Sequence, residues 1–267
     1  MVFIIKVPSV NGNGFTEGCK KCSEELIKEL KNISGNEKGK VITGHFEDIN
    51  EIKFDQNDIE DQQDEIYWQG QKYLKFPNKL AIFLGGDHSI SYPLGKSFLE
   101  LCQERKEVPY LIVFDSSLNL MPRLAVPSNE EWLRALVEEG FPTENILIVG
   151  ARKFHEQELE YIQEKKIKRV SINELVNDIE GVTDMIMEFS GGRPLYISFD
   201  MGLVDPVFAP GSGNEVGGLS SREITYIMSR MSLVKNLRML DFVEINSDLD
   251  KERMTLKLGA KILAEFL

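Results

Sequence analysis

The chain alternates short apolar, β-branched runs with longer amphipathic segments from one end to the other, and that alternation leaves few architectures open to it. Candidate strands are Val2–Val7, Val41–Phe46, Leu80–Leu84, Tyr110–Phe114, Ile146–Val149, Arg169–Ile172, Leu195–Phe199 and Arg238–Ile245. Between and after them run candidate helices at Lys20–Lys31, Ile59–Leu74, Tyr92–Arg105, Glu130–Glu139, Glu156–Lys165, Asn173–Glu188, Ser221–Met231 and Lys251–Phe266. A helix between successive strands returns the chain parallel to itself, so the pattern predicts an α/β fold: a three-layer αβα sandwich with a mostly parallel sheet of about eight strands. With 267 residues, 42% of them hydrophobic, one large domain over residues 1–267 is expected. No internal repeat, low-complexity stretch or proline-rich linker divides it.

Charge and hydropathy exclude some partners. A net charge of -12 repels phosphate backbones and anionic bilayers, which argues against nucleic acid and membrane surfaces. The longest apolar runs, such as Leu80–Leu84 and Tyr110–Phe114, fall far short of the roughly 20 residues that span a bilayer. The N-terminus is apolar but has no basic leader, and the chain has only three cysteines, so a reducing, cytoplasmic location is expected. Cys19 and Cys22 form a Cys-x-x-Cys pair at the start of a candidate helix, where a thiol pKa can be lowered. A zinc site would need a second pair and only Cys102 remains, so two small residues one helical turn apart is the simpler reading. The acidic stretch Glu47–Glu65 reads as a solvated loop leading into a helix.

In an open parallel sheet, ligands bind beyond the carboxyl ends of the strands, where loops converge and helix N-termini point. The third candidate strand ends in Gly85-Gly86-Asp87-His88-Ser89, the fourth in Asp115-Ser116-Ser117-Leu118-Asn119 and the seventh in Asp200-Met201-Gly202, while the eighth carries Glu244. A single carboxylate after a strand often only caps the next helix or turn. Four apolar strands delivering carboxylates or imidazole at one edge form the pattern of a metal or acid–base site. His45, inside a strand run, and His155, at the start of a polar helix, read as structural. The stretch Ala209–Gly218 lacks the Gly-Lys-Ser/Thr ending of a phosphate-cradling loop and reads as a long loop closing over the edge of the seventh strand.

At these residues the chain resembles the ureohydrolase family of arginases, agmatinases and formimidoylglutamases. Gly85-Gly86-Asp87-His88-Ser89 matches the family's Gly-Gly-Asp-His-Ser motif in full. The stretch Ser198-Phe199-Asp200-Met201-Gly202-Leu203-Val204-Asp205-Pro206 is similar to its Ser-x-Asp-x-Asp-x-x-Asp-Pro signature. Weaker matches are Gly150-Ala151-Arg152, the segment from Gly217 to Glu223, and Asp241-Phe242-Val243-Glu244-Ile245-Asn246. The resemblance runs from about residue 80 to the end; the N-terminal part shares only its strand-loop-helix outline.

The resemblance implies a binuclear manganese centre that activates a shared water against a guanidinium or related C=N carbon, releasing urea or a one-carbon amide. Carried over residue by residue, the family's first metal position falls on His88, Asp115, Asn119 and Asp200. The second shares Asp115 and Asp200, but its own histidine and aspartate fall on Ser117 and Gly202, neither of which replaces the lost donor. Two carboxylates balance one divalent ion, and a second would leave an uncompensated charge in a partly dry cleft. The expectation is therefore zero or one Mn²⁺ per chain. A histidine that the family carries after the fourth strand, thought to pass a proton to the leaving amine, has no counterpart in Met121–Asn129. Glu244 matches the carboxylate that faces a cationic substrate, Asp205 the aspartate of the Asp-Pro step, and Asp87 the motif's own acid; these three are the candidate catalytic residues.

Two readings stay open at this level. One is a divergent single-metal hydrolase of a small guanidino, amidino or amide compound; the other is an inactive family member serving as a binding, regulatory or structural subunit. A mononuclear zinc deacetylase of the same broad architecture is disfavoured, because those enzymes keep the metal position that here has Ser117. The resemblance also implies a homo-oligomer and a small cationic substrate or ligand.

Overall fold

A computed structural model describes residues 2–12, 14, 16–42, 49–55, 57–213 and 215–267. Among them, eight strands form one sheet: β1 (Val2–Val7), β2 (Ile49–Glu51), β3 (Leu80–Gly85), β4 (Tyr110–Phe114), β5 (Ile146–Val149), β6 (Lys168–Val170), β7 (Leu195–Asp200) and β8 (Leu237–Val243). Their order is β2-β1-β3-β8-β7-β4-β5-β6, and every pair is parallel. The helices are α1 (Cys22–Leu30), α2 (Ile59–Leu74), α3 (Ser91–Glu104), α4 (Trp132–Glu138), α5 (Glu156–Lys165), α6 (Ile172–Asn177), α7 (Ile179–Glu188), α8 (Ser221–Met231) and α9 (Met254–Ala264).

The sheet is buried on both faces, and its residues alternate between two cores as the pleat requires. Ile4, Ile82, Leu84, Ile112, Phe114, Ile197 and Phe199 join the core under α1, α6, α7, α8 and α9. Their neighbours Ile5, Ala81, Phe83, Leu111, Val113 and Tyr196 join the core under α2, α3, α4 and α5. Those two cores are the physical content of the three-layer architecture.

Most expected elements are present with small boundary shifts, and α2, α5 and α8 span the anticipated residues. The single helix expected over Asn173–Glu188 is two helices. Asp178 leaves helical geometry (φ -147°, ψ 72°) and its carboxylate accepts the Gly181 N–H at 3.0 Å, capping α7. The sixth strand ends at Val170, because Ser171 caps α6 in a reciprocal pair with Glu174. The strand expected over Val41–Phe46 falls mainly on residues outside those described, as does His45; Val41 makes an isolated antiparallel bridge to Gly35, and the second strand of the sheet is Ile49–Glu51. No described helix is long and apolar enough to cross a membrane.

Candidate metal centre

The four central strands are neighbours in the order β3-β8-β7-β4, so their carboxyl ends deliver four polar residues to one place. His88 opens a helical turn after β3, Glu244 follows β8, Asp200 is the last residue of β7 and Asp115 follows β4. The two glycines before Asp87 make this exit possible. A Cβ on Gly86 would lie 1.9 Å from the Ser9 carbonyl oxygen, and one on Gly85 would meet Ile90 and Val243.

His88 Nδ1 lies 3.0 Å from Asp115 Oδ2 and 3.1 Å from Asp200 Oδ2. These three buried groups can each direct one ligand atom to a common point. Asn119, held at φ 56°, brings its amide within 2.5 Å of Asp115 Oδ2 and 3.5 Å of His88 Nδ1. Four expected ligands are therefore together. The outward oxygens of the two aspartates are tied to backbone: Ser117 N–H donates to Asp115 Oδ1 at 2.9 Å, and Gly202 N–H to Asp200 Oδ1 at 2.5 Å.

Behind His88 stands a chain of hydroxyls. His88 Nε2 is 2.8 Å from Ser198 Oγ, which donates to Asp241 Oδ1 at 2.9 Å. Ser91 Oγ (2.7 Å) and the Tyr196 hydroxyl both donate to Asp241 Oδ2. Because the Ser198 proton goes to Asp241, Ser198 receives the Nε2 proton and Nδ1 is the atom that faces the two aspartates; in the metal-free protein its proton is donated to them, and a bound ion would take that proton's place. Trp132 packs over the imidazole with ring centroids 4.8 Å apart.

Burial dominates the electrostatics. It pushes the Asp200 carboxyl up to about 7, helped by the Asp115 charge beside it. Asp115 is held below its ordinary value, because the favourable contacts with His88, Ser117 and Asn119 together outweigh its large burial penalty. His88 is raised well above the usual imidazole range: burial opposes its charge, but the two aspartates outweigh that cost. Glu244, in the left-handed region at φ 62°, is pushed up by burial, then by Asp200 and Asp87.

These groups fit one divalent cation. With two protons' worth of carboxylate affinity and an oriented imidazole converging, the metal-free site must hold protons or positive charge to be stable. Asn119 adds a fourth donor once its amide turns its oxygen, in place of its nitrogen, toward the centre. At the second position, Ser117 and Gly202 offer no such set.

The cavity above the centre has a volume of about 330 Å³, and His88, Asp115, Asn119, Asp200 and Glu244 are among the residues lining it. Asp87 and Asp205 do not line it. Asp87 is fully buried and accepts from Asn11 N–H (2.7 Å), Thr16 Oγ1 (2.6 Å) and Ser89, tying the β1 loop to the β3 loop. Asp205 accepts from the backbone N–H of Val207, Gly217 and Gly218 and so folds the 203–219 loop. Arg152 braces that loop from outside, donating to the carbonyls of Gly202, Leu203, Glu215 and Val216. Cys19 and Cys22 are buried, and burial followed by nearby glutamates pushes both thiols up, the reverse of what redox chemistry needs.

Sequence reasoning did not assign Ser198, Asp241 or Trp132 to the site, nor Lys153 and His155 to the cavity wall. Asp241 left a trace, as an acid inside an apolar central strand. Lys153 and His155 left none, because only the folded loop brings them to the cavity.

A family profile described as "Arginase family" matches residues 1–267. An agmatinase of Neisseria gonorrhoeae is 28% identical over 225 residues, covering 82% of this chain and 69% of that protein. An arginase of Staphylococcus aureus is 25% identical over 264 residues, covering 90% of this chain and 87% of that one. Among solved structures, the formimidoylglutamase of Bacillus subtilis superimposes with a TM-score of 0.89 at 20% identity, covering 99% of this chain and 85% of that chain. The proclavaminate amidino hydrolase of Streptomyces clavuligerus gives 0.84 at 23% identity, covering 99% and 90%.

Proposed function

Because this chain belongs to the arginase family, we propose that it is a metal-dependent hydrolase of C–N bonds in small guanidino or amidino compounds and that it works with a single divalent ion. The observation that carries the reading is the convergence of His88 Nδ1, Asp115 Oδ2 and Asp200 Oδ2, with Asn119 alongside. Oxygen-rich ligation with one imidazole suits Mn²⁺. Bound there, such an ion supplies Lewis acidity and lowers the pKa of water for attack on an electrophilic carbon.

The residues of the chain supply the rest. Asp115 and Asp200 neutralise the charge of one ion, and Ser198 with Asp241 keeps the His88 lone pair aimed at it. Glu244 stands on the cavity wall, where it accepts from His88 N–H at 2.9 Å and keeps lone pairs for the N–H groups of a guanidinium or amidinium. Cleavage adds water across the C=N carbon, and the departing nitrogen must gain a proton. The 121–129 loop brings only Met121 and Asn129 to the cavity, so that proton comes from water or from another group of the lining.

The test is metal content after incubation with Mn²⁺ and, separately, Zn²⁺, followed by assays of urea and ammonia release from guanidino compounds. One ion per chain with turnover supports the reading. Two tightly held ions would refute the single-ion centre. No ion and no turnover would refute the hydrolase and leave the inactive, ligand-binding subunit as the account of the conserved fold.

A further inference from the structure

The floor of the cavity is acidic, but its rim is not uniformly so. The loop between β5 and α5 places Lys153 and His155 on the cavity wall, both exposed to solvent. This loop is fixed in place. Arg152 N–H and Lys153 N–H both donate to the Ser116 carbonyl, at 2.7 and 2.8 Å, and Lys153 pairs with Ser117 in a parallel bridge. Residues paired in this way project to the same side, so Lys153 and Ser117 both face the cavity.

The rim carboxylates do not cancel this cation equally. Glu158 is buried and spends both oxygens on backbone, accepting from Leu120 N–H and His155 N–H at 2.9 and 2.8 Å. Glu215 lies against Arg152, for which it is the strongest charged neighbour. Glu130, on the other connecting loop, is the remaining exposed acid of the wall. Lys153 enters no ion pair among the described residues.

A ligand seated with its cationic carbon group against Glu244 and the aspartates extends its other end toward this rim. We infer that Lys153, assisted by His155, selects a substrate whose far end carries a carboxylate: an ω-guanidino or ω-amidino acid in place of an ω-guanidino amine. The inference rests on the hydrolase reading above and adds the substrate class to it. An ammonium at that end meets Lys153 as a like charge, whereas a carboxylate gains an ion pair and hydrogen bonds. A free α-amino group on an acid of this class has Glu130 within the same wall.

Agmatine and 4-guanidinobutanoate test this directly, since they share a guanidinium and a chain of similar length and differ in the charge of the tail. Binding of each to the Mn²⁺-incubated protein is measured by calorimetry, and hydrolysis is measured in parallel. The acid is expected to bind about tenfold more tightly, the size of an exposed ion pair gained against one repelled. Lys153→Glu reverses the order, and Lys153→Met removes most of it. In kinetics the change falls on KM with kcat largely kept, because the tail is held equally in ground and transition states. Tighter binding of agmatine, or a preference that Lys153→Glu leaves in place, overturns the tail assignment while turnover sustains the hydrolase. Binding of neither compound overturns the tail assignment and the reading of the site together.

Discussion

The backbone N–H of Gly202 donates to Asp200 Oδ1 across 2.5 Å, and a Cβ built on Gly202 would come within 2.8 Å of that same oxygen. The absence of a side chain at 202 and the direction of the Asp200 carboxylate are one arrangement. Restoring a second metal position by Ser117→His, Asn119→Asp and Gly202→Asp therefore requires Asp200 to turn as well. The triple variant is expected to bind a second Mn²⁺ more weakly than the first, seen as two separated steps in a calorimetric titration. Single-step binding of two ions would show that Asp200 does not obstruct the second site.

Within the first position, the residues are unequal. His88→Ala removes the only imidazole and is expected to abolish metal binding, while Ser117→Ala, whose contribution to Asp115 is a backbone N–H, leaves affinity within a fewfold. Metal content of the two purified variants by atomic emission checks both.

Asp241 does not touch the metal position, yet it fixes the Ser198 proton and through it the His88 tautomer. Asp241→Asn keeps the shape but can donate to Ser198, which frees Ser198 to donate to Nε2; the ring then loses its Nε2 proton and keeps the one on Nδ1 that metal must displace. Mn²⁺ affinity is expected to fall by about 10–100-fold, the usual effect of losing an outer-shell partner. Nitrogen chemical shifts of the His88 ring in the metal-free protein, with protons on both nitrogens in the parent and on Nδ1 alone in the variant, distinguish this change from general loosening.

The pH dependence follows from Asp200. Its carboxyl sits at about 7 in the folded protein against an ordinary 3.8, so between those values the folded chain keeps a proton that the unfolded chain has lost. The folded state binds more protons there, and the stability of the metal-free protein falls as pH rises from about 4 to about 7. The raised His88 acts in the same direction above the ordinary imidazole value. Metal binding displaces these protons, so affinity rises over the same interval. Melting temperatures with and without Mn²⁺ should diverge as pH increases; parallel curves would mean that neither group is displaced.

Arg152 holds four carbonyls of the segment that folds over the cavity. Arg152→Lys keeps the charge but can satisfy few of them, since an ammonium lacks the planar spread of donors. Faster protease cleavage within 203–219, with little change in the global melting temperature, is expected.

The architecture was legible because the central strands are buried on both faces and read as unbroken apolar runs such as Ile82-Phe83-Leu84 and Leu111-Ile112-Val113. The candidate ligands were legible for a related reason: His88, Asp115 and Asp200 stand where the apolar runs stop. The break at Asp178 was not, because a non-glycine, non-proline residue interrupts a helix only where tertiary packing lets it cap the next one. Nor did sequence tell that Asp87 accepts from loop N–H and hydroxyl groups and Asp205 from loop N–H groups, since an acid that folds a loop and an acid that faces a substrate look alike before the chain closes. Lys153 and His155 escaped for the same reason in reverse, being ordinary surface residues until a bridge to Ser117 sets them on the cavity.

A ribosome makes β8 last, yet β8 lies between β3 and β7 at the middle of the sheet. Until residues near 244 have left the exit tunnel, β3 with His88 and the β7-β4 pair with the two aspartates have no strand to join them. The nascent protein can neither assemble the centre nor close its sheet in stages, and shortening the chain at its C-terminus by even this one strand removes the seam and not an edge. The convergence of His88 with Asp115 and Asp200 therefore depends on a strand that is made after both of the strands it joins.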